Sequence, residues 1–116
     1  MLPKPLFTIL RHESGAQVYR FEGRITFGME TERCRQNLKD LLAKGEGKFV
    51  FDLSAVEYVD SAGIGFLVSC LITLQQNGAR LRLACPPERV RHVLGITKLD
   101  TVFEVLPSQE QALQNF

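Results

Sequence analysis

The stretch Lys48-Phe-Val-Phe-Asp-Leu-Ser-Ala-Val-Glu-Tyr-Val-Asp-Ser-Ala-Gly-Ile-Gly-Phe-Leu-Val68 decides how the rest of the chain is read. It opens with an apolar run, Phe49–Phe51, that breaks at Asp52. So little alternation suits a strand covered on both faces, as in a sheet with helices packed against it. A short connection leads to Val59-Asp60-Ser61-Ala62-Gly63-Ile64-Gly65, after which Ile64, Leu67, Val68, Leu71, Ile72 and Leu74 form a broad apolar stripe. That spacing predicts a helix over 62–76, closed by Asn77-Gly78. Arg80–Ala84 alternates and reads as the next strand. Strand, crossover helix and strand imply a parallel pair joined with right-handed sense.

Working outward toward the amino terminus, Leu6–Leu10 and Gln17–Phe21 are strand-like runs on either side of Glu13-Ser14-Gly15-Ala16, and predict a hairpin. Gly23–Gly28 leads out of the second strand. From about Glu30 to Lys44 the period changes: Cys34, Leu38, Leu41 and Leu42 share one helical face, and Gly45 supplies a carboxyl-terminal stop. Toward the other end, Pro86-Pro87-Glu88 starts a short helix that buries Val90, Val93 and Leu94 and closes at Gly95. Val102–Val105 is a last short strand. Ser108 with Gln111 has capping-box form and predicts a terminal helix running toward Asn115. The expected order is ββαβαβαβα, a single α/β domain over residues 1–116, with a mixed, mostly parallel sheet and helices packed on it.

The totals agree with one small core: 116 residues, 45% hydrophobic and 23% charged. A net charge of +1 gives no electrostatic argument for nucleic acid or an anionic membrane as partner. The first residues have no signal-peptide pattern, and no run is long enough for a membrane span. Cys34, Cys70 and Cys85 match no zinc or disulfide spacing, so reduced, packed thiols in a cytoplasmic protein are expected.

Several chemistries are disfavoured in turn. A serine hydrolase would need G-x-S-x-G and a base. The sequence around Ser61 lacks the first glycine, and the two histidines, His12 and His92, fall at a predicted turn and on the exposed side of a short helix. Gly63-Ile64-Gly65 opens a helix after a strand, but Val68 stands where a dinucleotide fingerprint needs its third glycine, and there is no Walker lysine. The two glycines instead suit a helix turn lying close to neighbouring backbone. Asp52, Glu57 and Asp60 could share a rim, yet no His or Cys joins them at ligand spacing, so neither metal nor cofactor is expected.

There remains Asp60-Ser61. Either residue suits the N-cap of the helix that follows, a role worth about 1 kcal/mol. A functional reading is equally open: Ser61 should end an exposed loop, with small Ala62 and Gly63 leaving room around its hydroxyl. A phosphate there would add about −1.5 to −2 charges at a helix amino terminus, which the helix dipole favours. A partner docked over Asp60 and Ser61 would be repelled by that same charge.

Val50-Phe-Asp-Leu-Ser-Ala-Val-Glu-Tyr-Val-Asp-Ser-Ala-Gly-Ile-Gly65 closely resembles the signature of STAS domains, the sulfate-transporter and anti-sigma-factor-antagonist family. The likeness extends over nearly the whole chain, with Gly23 at the family's Gly-x-Leu-Asp motif and Asn77–Leu81 and Phe103–Leu113 fitting later segments. It implies a non-enzymatic partner switch. An unphosphorylated antagonist binds an anti-sigma factor that is itself a serine kinase, and so frees a sigma factor. The kinase phosphorylates Ser61, which releases the antagonist, and a serine phosphatase resets it. By the same resemblance Thr26, Phe27, Asp60, Ser61, Ala62, Gly63, Ile64 and Gly65 form the partner-binding surface. The chain departs from the family at Thr26, where the motif has its acid. This takes one negative charge from the docking rim, and Arg24 shifts the balance in the same direction. Alternatives are an STAS subunit of a lipid ABC transport assembly and, more distantly, a small serine hydrolase.

Overall fold

Alternating apolar residues in two short runs around a glycine turn give the expected hairpin. In the computed structural model, which describes residues 6–26 and 28–116, Phe7–Arg11 (β1) pairs antiparallel with Gln17–Ile25 (β2). Gly15, at φ +95°, makes the turn. The chain continues through Met29–Ala43 (α1), Lys48–Val59 (β3), Ser61–Gln76 (α2), Arg80–Ala84 (β4), Glu88–Ile96 (α3), a 3-10 turn at Leu99–Thr101, Glu104–Leu106 (β5) and Gln109–Ala112 (α4). The order ββαβαβαβα is therefore observed. The five strands lie in sequence order, with β1 antiparallel to β2 and every other neighbouring pair parallel. Because α1 and α2 each follow a strand of the parallel set, both begin at the same end of the sheet.

One sheet face carries most of the core. Tyr19, Phe21 and Ile25 of β2 and Phe49, Phe51 and Leu53 of β3 pack against Cys34 and Leu38 of α1 and Phe66, Leu67, Cys70 and Leu74 of α2. The rings of Phe21 and Phe51 meet edge-on with centroids 4.9 Å apart. The opposite face has a small cluster of Val18, Val50 and Ala84 under Ala112. Phe49–Phe51 is thus covered on both faces, as its lack of alternation predicts.

β3 is longer than expected, and its irregularity explains why. Arg20 pairs with Asp52 but Glu22 with Ala55, and Gly23 pairs with Val56 but Arg24 with Tyr58. Each step places one surplus residue on β3, so the strand carries two bulges opposite β2. On the face of the main core the buried residues of β3 run Phe49, Phe51, Leu53, Val56 and Val59, a spacing of two, two, three and three. Gly23, at φ +82°, takes part in this irregular pairing; it lies within β2 and not beyond its end.

Three further points differ from what the sequence pattern suggests. Arg82 alternates with Leu81 and Leu83 as if solvent-facing, but it is only 7% exposed. Its guanidinium donates to the carbonyls of Ala112, Gln114 and Asn115 at 3.1, 2.6 and 3.0 Å and lies 4.3 Å from the ring centroid of Phe116. Those donors stand in for the amides of another helical turn, and α4 stops at Ala112 instead of reaching Asn115. The last strand is shifted to Glu104–Leu106, because Leu99–Thr101 takes up the 3-10 turn.

Candidate functional site

The site is built at the end of the sheet where α1 and α2 begin. β3 runs as strand as far as Val59, so Ser61 does not close a loop: one residue, Asp60, separates strand from helix. Asp60 adopts extended backbone and its Oδ1 accepts from the Gly63 amide at 2.7 Å. The N-cap is therefore Asp60, and Ser61 is the first helical residue. Its hydroxyl is not needed as the cap, and the residue is exposed. The first amides of a helix have no carbonyl one turn back to accept them, so this end is also the positive end of the α2 dipole.

The residues around Ser61 divide by role. Ala62 and Gly65 are exposed, and Gly65 shares the Ser61 side of the helix, four residues on. Gly63 is buried, and an added Cβ would meet the Ile25 carbonyl oxygen at 2.0 Å and Val59 Cγ1 at 2.9 Å. Its place is packing between α2 and the ends of β2 and β3; it offers no contact surface, contrary to expectation. Gly65 has nothing within 4 Å of that position, so the idea of close backbone approach holds for one glycine of the pair. Ile64 is half-buried and packs against the core. Thr26, also half-buried, follows Ile25 directly and so reaches the same pole. An open groove of about 370 Å³ runs beside it, lined by Glu22, Arg24, Gly28, Met29 and Glu30 among others. Phe27 lies outside the described residues.

Sequence reasoning passed over Met29 and Tyr58. Met29 opens α1 and is 89% exposed; Tyr58 is 45% exposed and pairs with Arg24 on the sheet face opposite Ile25 and Val59. A large apolar side chain at a helix start was a visible signal. For Tyr58 the bulges hid which face it would take.

The geometry does not gather a hydrolytic site. His12 is held in the β1–β2 turn, its Nδ1 2.8 Å from Ser14 Oγ, and His92 is exposed on α3. Of the carboxylates proposed to share a rim, Asp52 turns instead to the far face, where it accepts from the Ser54 amide and from Gln109 Nε2, both at 2.9 Å. Among the described residues no three His, Cys, Asp or Glu side chains gather to hold a metal. No helix of the described residues is long and apolar enough to cross a membrane.

A sequence model of the STAS domain matches residues 8–112. The chain belongs to the STAS domain family. A Thermotoga neapolitana protein provisionally named an anti-sigma factor antagonist is 36% identical to this STAS domain over 75 residues, 65% of this chain and 66% of that protein. The match thus spans slightly under two thirds of the relative's length. Among solved structures, a provisionally named anti-sigma factor antagonist from Thermotoga maritima superposes with a TM-score of 0.82 at 24% identity, covering 93% of this chain and 92% of its own. An anti-sigma factor antagonist from Mycobacterium paratuberculosis does so with a TM-score of 0.75 at 25% identity, over 92% and 89%. The five-stranded mixed sheet and its helices are the STAS fold.

Proposed function

We propose that this STAS domain is a cytoplasmic anti-sigma factor antagonist that works by partner switching, with Ser61 as the switch. With its hydroxyl free, the domain binds an anti-sigma factor that is a serine kinase, and the sigma factor held by that kinase is released. The kinase then transfers the γ-phosphoryl group of ATP to Ser61 Oγ. A new P–O bond forms, ADP leaves, and the hydroxyl proton is lost to the kinase site or solvent. A serine phosphatase returns the hydroxyl by hydrolysis. In this scheme the domain is a kinase substrate and not an enzyme.

The observation that carries the reading is the division of labour at the start of α2: Asp60 caps the helix, which leaves Ser61 exposed with its hydroxyl uncommitted to the fold. The names of the similar proteins support it. A phosphoryl group on the first helical residue is favoured by the helix dipole, so the domain should remain folded. It also places a second anion next to Asp60. A partner surface that tolerates one carboxylate must then desolvate two negative groups, and binding weakens.

Incubation with a serine-kinase anti-sigma factor of the source organism and ATP, read by intact mass, is expected to add one phosphate that Ser61→Ala abolishes. If every such kinase leaves Ser61 unmodified, the switch is wrong. Ser61→Asp binding the kinase as tightly as wild type would refute the repulsion argument.

A further inference from the structure

We infer that β1 is a dimerisation edge: two copies of this chain join by antiparallel β1–β1 pairing about a two-fold axis at Ile9, which makes one continuous sheet of the two. β1 closes one side of the sheet, where a strand offers a row of unpaired backbone groups. The Glu22 amide donates to the Leu6 carbonyl at 2.9 Å and the His12 amide to the Ala16 carbonyl at 2.8 Å. The even-numbered residues therefore turn their backbone toward β2, and by antiparallel alternation Phe7, Ile9 and Arg11 turn their N–H and C=O groups outward. Sheet edges are usually blunted by proline, lysine, a bulge or very short length. The opposite edge, β5, has only three residues, and its Glu104 is held by Arg80 and Arg82. β1 contains no proline or lysine and pairs with β2 without a break over five residues. It also exposes Ile9 and Leu10, the latter by 67%.

The side chains single out a second copy as the occupant. With the axis at Ile9, every residue of β1 finds a cross-strand neighbour: Ile9 meets Ile9, Thr8 meets Leu10, and Phe7 meets Arg11. The two Ile9 side chains continue the row begun by Tyr19, with which each is paired in its own sheet. Leu10 gains the methyl group of Thr8. The one charged residue of the strand, Arg11, already bonds Glu46 within its own copy. Antiparallel pairing sets it across from an aromatic ring, at the far end from its counterpart, whereas parallel pairing would put the two guanidinium groups side by side. Such a two-fold contact is self-complementary and closes at the dimer. It also reverses the direction of the second copy, so the two Ser61 poles point opposite ways and both stay accessible.

One short strand per copy buries less than the roughly 1,200 Å² of stable complexes, so a dimer dissociating at about 10–500 μM is expected. Sedimentation equilibrium of the full chain should show the mass rising from that of one copy toward two across this range. Ile9→Lys, which sets like charges across the axis, should stay monomeric. Cysteine variants test the register. In the proposed pairing the Cα atoms of Ile9→Cys stand about 5.5 Å apart, within disulfide reach, and those of Leu10→Cys about 7–8 Å apart, beyond it. Under oxidised glutathione, Ile9→Cys should form a linked dimer about tenfold faster than Leu10→Cys or wild type. A wild type that remains monomeric up to about 1 mM would overturn the dimer. So would Ile9→Lys associating as wild type does, or equal linking rates in the two cysteine variants.

Discussion

The Ile25 carbonyl oxygen lies against Gly63 so closely that a Cβ on that glycine would sit 2.0 Å from it. The end of β2 and the first turn of α2 are in backbone-to-backbone contact, and neither can yield as a flexible side chain can. Gly63→Ala is therefore expected to destabilise the fold by about 3 kcal/mol, the upper part of the usual range for overpacking. Urea unfolding followed by circular dichroism measures this, and a change under about 0.5 kcal/mol would mean the contact relaxes freely.

The cap and the candidate acceptor are adjacent but separable. Asp60→Ala removes the oxygen that accepts from the Gly63 amide and should cost about 1 kcal/mol. Ser61→Ala should change stability by less than about 0.5 kcal/mol, since an exposed hydroxyl that is not the cap leaves no buried donor behind. Thermal unfolding of the two variants side by side tests the assignment, and the reverse order would make Ser61 the structural residue.

Arg82 ties the segment after β5 to the sheet through three backbone carbonyls and the Phe116 ring. Glu104 accepts from its Nε at 3.2 Å on the other side. Arg82→Ala should lower stability by about 2–3 kcal/mol, as expected when charge-assisted bonds to buried groups are removed. Limited proteolysis should then cut first within residues 107–116. Cleavage starting elsewhere, at wild-type rate, would show that the guanidinium is not what holds the tail.

The alkaline limb of the stability curve has a defined origin. Burial pushes the Cys70 thiol up to about 12 and raises that of Cys34, and the Tyr19 phenol, bonded to Asn37 at 2.7 Å, is raised by burial as well. The folded protein keeps these protons at pH values where the unfolded chain releases them, near about 8.5 for a thiol. Stability is thus undiminished below about pH 8.5 and falls above it, by about 1.4 kcal/mol per pH unit for each thiol. Denaturant midpoints from pH 8 to 11 should decline, and should decline less steeply in Cys34→Ala/Cys70→Ala. Unchanged slopes in that variant would assign the limb to other groups.

The sequence was readable where its periods were regular. The 3.6-residue stripes of α1 and α2, the unbroken Phe49–Phe51 run and the Gly45 and Asn77-Gly78 stops all lead to elements found in place. It misled where a tertiary contact overrode the local pattern. The two surplus residues of β3 break the two-residue period after Leu53, so a buried strand looks like a loop through Val59. Arg82 obeys a solvent-facing alternation and is nevertheless covered, because its partners are carbonyls thirty and more residues away. At the site, Asp60-Ser61 announced a helix start but not which residue caps it. That depends on the extended backbone of Asp60 aiming its carboxylate at Gly63.

The bulges in β3 also act as a ruler. Eleven residues of β3, Phe49–Val59, lie alongside nine of β2, and the two surplus residues are absorbed before Val59 meets Ile25. Deleting one absorbed residue, at Ser54 or Glu57, would draw everything downstream back along the strand by about 3.3 Å per residue. Val59 would then point away from the core, Gly63 would lose its seat against Ile25, and the hydroxyl of Ser61 would sink toward the sheet. The height at which this serine stands above the domain is thus counted out by the strand that precedes it.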